Sequence, residues 1–255
     1  MARYFLELSY NGTRYNGWQI QPDAPTVQEE LQKALSVLLS EPIEVVGAGR
    51  TDTGVHARYY VAHFDTGRCS KVEQTDFVYH LNCILSKDIA VSGVRRVADD
   101  AHARFDAFER EYKYYISLKK NPFCRETAAA FYLPLDIARM NEAAALLLKQ
   151  DDFTSFAKLH SDTKTNRCKV VYAKWEKEGE FLVFTIRADR FLRNMVRAIV
   201  GSLIDVGKGK ATVAGFEKII FLKDRSAAGM SAPAEGLFLT DVKYPGSVEY
   251  MEKQI

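Results

Sequence analysis

Apolar and polar residues alternate through residues 3–10, the pattern of a strand with one buried face, and the turn-rich stretch NGTRYNGWQIQPDAP follows it. Thr26, Val27, Gln28 and Glu29 then have the spacing of a capping box. Behind them Val27, Leu31, Ala34, Leu35 and Leu38 share one helical face until Pro42 stops the pattern. Ile43 to Val46 and Arg58 to Asp65 read as strands on either side of a glycine-rich loop, and Ile89 to Val97 reads as another.

A similar order follows: a strand from Glu111 to Leu118, a helix from about Asp136 to Leu148, and strands from Val170 to Lys177 and Phe181 to Ala188. Helices at about Phe191 to Val206 and Thr212 to Leu222 and a last strand near Leu237 to Lys243 complete the pattern. Strands joined by short turns and mixed with helices predict an α+β protein with a largely antiparallel central sheet flanked by helices. Two similarly ordered halves, 1–105 and 106–255, are expected with a cleft between them. The halves match in order of elements only, and no linker, low-complexity run or short repeat interrupts them.

With 47% hydrophobic and 12% aromatic residues in 255, the chain can bury a sizeable core, which excludes a disordered protein. Its formal net charge of +2 makes no global case for a polyanionic partner, so any basic site must be local. No stretch approaches the roughly 18 to 20 apolar residues of a membrane span, and the N-terminal pattern reads as cytoplasmic, without a targeting segment. Cys69, Cys83, Cys124 and Cys168 stand far apart, the spacing of free thiols rather than of a zinc knuckle or a disulfide framework.

The densest candidate chemistry is the run from Gly47 to Ala57, with Gly47, Gly49 and Gly54 in eight residues. It is no known phosphate cradle. The Walker pattern needs a closing Gly-Lys-Ser/Thr, and the dinucleotide fingerprint needs a glycine where Asp52 stands and a helix where a strand follows. What remains is a tight polar loop presenting one acid, Asp52, with Arg50 as a counter-charge and Thr51 and Thr53 as hydrogen-bond donors. That suits a nucleophile or a general base; the bland alternative is a carboxylate capping its own turn. His56 beside the loop is more often a structural hydrogen-bonder than a catalyst. A metal-dependent hydrolase built on Asp52, His56 and His63 lacks the carboxylate-rich shell such a site wants.

Two further segments carry charge and aromatic side chains. On a helix starting near Phe191, Arg190, Arg193 and Arg197 would lie on one face with Asn194 and Gly201, a stripe suited to phosphates or simply a solvated basic face. The strand Arg110 to Ile116 interleaves Tyr112, Tyr114 and Tyr115 with Lys113 and reads either as a base-stacking surface or as ordinary core tyrosines. A non-catalytic RNA-binding protein would use the same helix and strand.

Together these segments resemble the bacterial tRNA pseudouridine synthase A family, tRNA pseudouridine(38–40) synthase, over nearly the whole chain. The resemblance rests on Tyr10 to Thr13, Gly17 to Gln19, Thr26 to Gln28, the specific run Gly49-Arg50-Thr51-Asp52-Thr53-Gly54-Val55-His56-Ala57, Tyr112 to Tyr114, Asn194 to Arg197, and Ser231 to Leu237. It implies the pseudouridine synthase fold and an enzyme that isomerises uridine in the tRNA anticodon stem-loop without a metal or organic cofactor. Asp52 is then the catalytic residue in the N-terminal half. Tyr112 stacks on the target base and Arg197 pairs with the carboxylate, both from the C-terminal half. Arg50 helps displace the target nucleotide. With an RNA substrate, the basic stripe described above assigns Arg190 and Arg193 to RNA phosphates. A homodimer gripping the stem-loop across both subunits is implied as well. Asn11, where the family usually has Asp, and Arg193, where it often has His or Tyr, depart from the pattern outside the inherited catalytic set.

Overall fold

The computed structural model describes residues 1–158 and 165–248. The chain is a mixed α+β protein with largely antiparallel strand pairing, and it forms two compact units, Met1–Phe108 with Leu239–Ile255, and Glu109–Phe238.

In the first unit β1 (Ala2–Tyr10) lies between β3 (His56–Thr66) and β4 (Ile89–Arg96), antiparallel to both, and β2 (Val45–Gly47) pairs with the far end of β3. The alternation in β1 is real: Tyr4, Leu6, Leu8 and Tyr10 point to one buried face. Residues of β3 are buried on both faces, which hides its full length from a period-two pattern. Helix α1 (Val27–Leu39) buries Val27, Leu31, Ala34, Leu35 and Leu39 and packs against β2 and α3 (Phe77–Ile84). The pattern does not predict the short α2 (Cys69–Val72) or α3; α2 is a single turn, and α3 spans eight residues of which Phe77 and Leu81 are buried.

The capping box does not form. Thr26 makes no side-chain capping bond, and Glu29 pairs instead with Lys33 one turn on. The preceding turn supplies other partners at this end: the Val27 and Gln28 amides donate to the carbonyls of Gly17 (3.3 Å) and Trp18 (3.0 Å), so backbone meets two of the helix's first amides.

In the second unit β8 (Phe181–Ala188) lies between β5 (Glu109–Ser117) and β7 (Val170–Glu178), antiparallel to both, and a two-residue β6 (Ala129–Ala130) adds parallel to β5. Gly179 turns the β7–β8 hairpin at φ 59°. Helices α4 (Ile137–Leu146), α5 (Met195–Gly207) and α6 (Val213–Leu222) pack together, with α5 buried along most of its length. Strand β9 (Leu237–Lys243) starts in this unit and, from Leu239, belongs to the first, where it lies beside β3.

The helix expected from Phe191 begins only at Met195. Asn194 takes a left-handed backbone, φ 65°, and the Met195 amide closes a turn on the Leu192 carbonyl, which interrupts helical winding across 191–194. Arg190 and Arg193 therefore stand on the preceding loop and only Arg197 on the helix, so the three-arginine helical stripe does not exist.

Among the described residues no helix is long and apolar enough to cross a membrane. One buried group makes the fold sensitive to acid. His63 of β3 accepts the Ala103 amide at Nδ1 (3.0 Å), and burial, followed by the charge of Arg3, lowers its pKa from 6.5 to about 4. The unfolded chain then binds the extra proton first, so this stabilisation is complete above about pH 6.5 and lost as pH falls toward 4. Urea titrations between pH 7 and 4 should show a loss on the order of 1–3 kcal/mol, with a shallower slope in His63→Asn.

Candidate active site

Asp52 sits on the loop 48–55, between the end of β2 and the start of β3. The loop folds back on the segment that follows β1. A Cβ on Gly12 would overlap the Val55 carbonyl, and one on Gly17 would overlap the Thr51 carbonyl, so the two backbones touch where only glycine leaves room. Gly17 also has φ 89°, a conformation that suits glycine. Hydrogen bonds close the contact: the Trp18 amide donates to Thr51 O (3.3 Å) and the Gly54 amide to Tyr15 O (3.2 Å). Within the loop the Val55 amide donates to Asp52 O (3.1 Å), and Gly54 takes φ 78°. Asp52 is half-buried, Thr51 is buried and Arg50 is exposed.

Buried aromatic side chains line the inner side of this loop. The Tyr60 hydroxyl donates to the Gly49 carbonyl and accepts the Gly49 amide (3.4 Å). The Tyr10 hydroxyl bonds the Thr51 hydroxyl (2.9 Å). Trp18 stacks on Tyr60 with ring centroids 4.1 Å apart. Tyr60 carries no functional signal in the sequence, and Tyr10 enters only as the first residue of the Tyr10 to Thr13 stretch; both occupy the inward positions of strands, where a tyrosine looks like any core residue until its hydroxyl is located.

His56 is buried and accepts the Gly12 amide at Nδ1 (3.0 Å), the structural reading rather than the catalytic one. His63 uses its Nδ1 in the same way on Ala103. Among the described residues no group of three or more His, Cys, Asp or Glu could hold a metal ion.

In the second unit the aromatic strand divides. Tyr114 is buried, its hydroxyl donating to Pro233 O (2.9 Å), and burial raises its pKa well above the ordinary phenol. Tyr115 belongs to a core cluster with Cys124, Ala128, Val183 and Phe238. Lys113 pairs with Glu178 at 2.7 Å. Only Tyr112 stays half-buried, held edge-on against Phe191 with ring centroids 5.1 Å apart and an interplanar angle of 87°. The core-tyrosine reading thus applies to Tyr114 and Tyr115, and of the three Tyr112 alone is not fully buried.

Phe191 and Arg190 are placed by Asp189, whose carboxylate accepts the amides of Lys169 and Arg190 (both 2.7 Å) while its carbonyl takes Arg110 Nη1 (2.8 Å). Arg193 is exposed, and its carbonyl accepts the Lys158 amide (3.0 Å). Arg197, in the first turn of α5, donates Nε to Ala232 O (2.7 Å), and the Ala232 amide returns a bond to Arg197 O (2.9 Å). Asn194 and Arg225 both donate to Ser231 Oγ, at 2.7 and 2.9 Å. A Cβ on Gly201 would overlap the Met230 carbonyl. The close approach that Gly201 permits is therefore to this chain's own 229–232 strap, not to a ligand. Asp52 and Arg50 belong to the first unit, and Tyr112, Arg190, Arg193 and Arg197 to the second.

The family model of tRNA pseudouridine synthase matches residues 8–106 and 143–245. Curated relatives named tRNA pseudouridine synthase A are similar over almost the whole length. The protein of Bacteroides thetaiotaomicron is 55% identical over 251 residues, 97% of this chain and 93% of the relative. That of Bacteroides fragilis is 54% identical over 97% of this chain and 98% of the relative. Identity is still 42% with the protein of Aliivibrio salmonicida, over 95% of this chain and 93% of the relative. Both matched segments of the family model contain candidate residues, Asp52 in the first and Arg190, Arg193 and Arg197 in the second, and the chain belongs to the tRNA pseudouridine synthase A family.

Proposed function

We propose that this protein is an isomerase that converts uridine to pseudouridine at positions 38, 39 and 40 of the tRNA anticodon stem-loop, with Asp52 as its catalytic carboxylate. The observation that carries this reading is the half-buried Asp52 on a loop locked by two obligatory glycine contacts, in a chain similar throughout to tRNA pseudouridine synthase A proteins.

The reaction breaks the bond between the ribose C1′ and N1 of uracil, turns the base, and forms a bond from C1′ to C5. N1 gains a proton and C5 loses one to water, so the change is an isomerisation without net redox or hydrolysis. A base inside a stem must leave the stack to react. In this reading the uridine is drawn out of the stem. Its ring stacks on Tyr112, while Asp52 serves the glycosidic step as nucleophile or as base. The half-buried position of Tyr112 and its perpendicular packing against Phe191 suit a stacking platform that keeps one orientation. Arg197 is the charge partner of Asp52, a role suited to a guanidinium whose Nε is already fixed on Ala232 O. Exposed Arg50 assists displacement of the nucleotide. Arg190 and Arg193 contact phosphates from the loop ahead of α5, where they can follow a backbone without the constraint of a helical face. The chain acts as a cytoplasmic homodimer that grips the stem-loop across both subunits, as the family resemblance implies.

Asp52→Ala should lower release of tritium from 5-tritiated uridine in tRNA by at least about 10³-fold while tRNA affinity stays within about threefold, because the carboxylate offers phosphate no attraction. A near-native rate in that variant would sink the assignment. For Tyr112, the phenylalanine variant should keep most of the kcat/KM, whereas Tyr112→Ala should lose about 10- to 100-fold, the worth of one stacked base. Equal losses in the two variants would assign the effect to the hydroxyl.

A further inference from the structure

The Asp52 loop has a second support besides the glycine contacts. Two buried phenols anchor the loop just ahead of Asp52: Tyr60 holds both the amide and the carbonyl of Gly49, and Tyr10 holds the hydroxyl of Thr51. Trp18 ties them together, stacked on Tyr60, with its centroid 6.3 Å from Tyr10, and its amide donates to Thr51 O. Tyr10 meets Tyr60 edge-on at 5.6 Å. All three rings are buried, so their positions are set by packing rather than by solvent. Space beneath the loop is full as well: a Cβ on Gly47 would overlap the Tyr60 hydroxyl and crowd the Trp18 ring. Burying these rings needs no hydroxyl. Yet both hydroxyls point at the loop and bond it within three residues of Asp52.

We propose that Tyr10 and Tyr60 are positioning residues for Asp52, acting through Thr51 and Gly49 to fix where the carboxylate meets the substrate. The inference rests on the reading of Asp52 as the catalytic group. A reacting group displaced by about 1 Å can lose on the order of 10²-fold in rate, so a loop relieved of one anchor should lose turnover before it loses binding.

The test uses full-length Tyr60→Phe and Tyr10→Phe, which keep the rings and remove only the hydroxyls. Each should lower kcat about 10-fold in the tritium-release assay with the tRNA Kd within about twofold, and amide hydrogen exchange should quicken at residues 49–52 while the rest of β3 keeps its protection. A wild-type kcat, a loss confined to tRNA affinity, or unchanged exchange across 49–52 would each overturn the positioning role and leave the Asp52 reading intact. Near-native turnover in Asp52→Asn, measured alongside, would instead overturn both.

Discussion

The close approach of two backbone segments, the turn after β1 and the loop before β3, is the constraint on which the candidate site depends. Gly12 and Gly17 are there because any Cβ would strike the carbonyls of Val55 and Thr51. That contact has consequences in both directions along the chain. It places Gly17 and Trp18 so that their carbonyls take the Val27 and Gln28 amides at the start of α1, where Thr26 makes no side-chain cap. It also presses the Asp52 loop onto Trp18, Tyr10 and Tyr60, so that a segment rich in glycine is held by packed aromatic rings instead of wandering.

The second unit uses a similar device around Arg197. The segment 229–232 is strapped along the start of α5, close enough that Gly201 cannot carry a side chain. Arg197 is bonded into that strap through Ala232, which fixes one edge of its guanidinium and leaves the planar fork oriented. The chain thus uses its tight glycine contacts to locate Asp52 in one unit and Arg197 in the other, and both contacts are made by backbone, which side-chain motion cannot loosen.

Much of this is legible in the sequence, and the reasons are local. β1 is readable from its alternation, and β8 because its continuous apolar run is short, rich in β-branched and aromatic residues and preceded by the Glu178-Gly179-Glu180 turn. The Arg-Thr-Asp-Thr-Gly-Val-His-Ala run is specific enough to name a family, and Asp52 follows from that run. What the sequence hides are features set by tertiary contact. The break at Asn194 depends on one backbone angle, and without it three arginines look like a stripe. Tyr112, Tyr114 and Tyr115 share one strand and one residue type, and only burial separates the half-buried Tyr112 from the core pair. The anchoring role of the Tyr10 and Tyr60 hydroxyls is invisible for the converse reason, since a hydroxyl inside a core leaves no trace in a hydrophobic pattern.

The most direct measurement of the central claim is a map of pseudouridine in tRNA from cells that lack this protein and are supplied with either the unaltered chain or Asp52→Asn at matched abundance. The account predicts that the unaltered chain restores pseudouridine at positions 38 to 40 of the anticodon arm and that Asp52→Asn restores none. Restoration by Asp52→Asn would contradict it, as would restoration only at sites outside that arm.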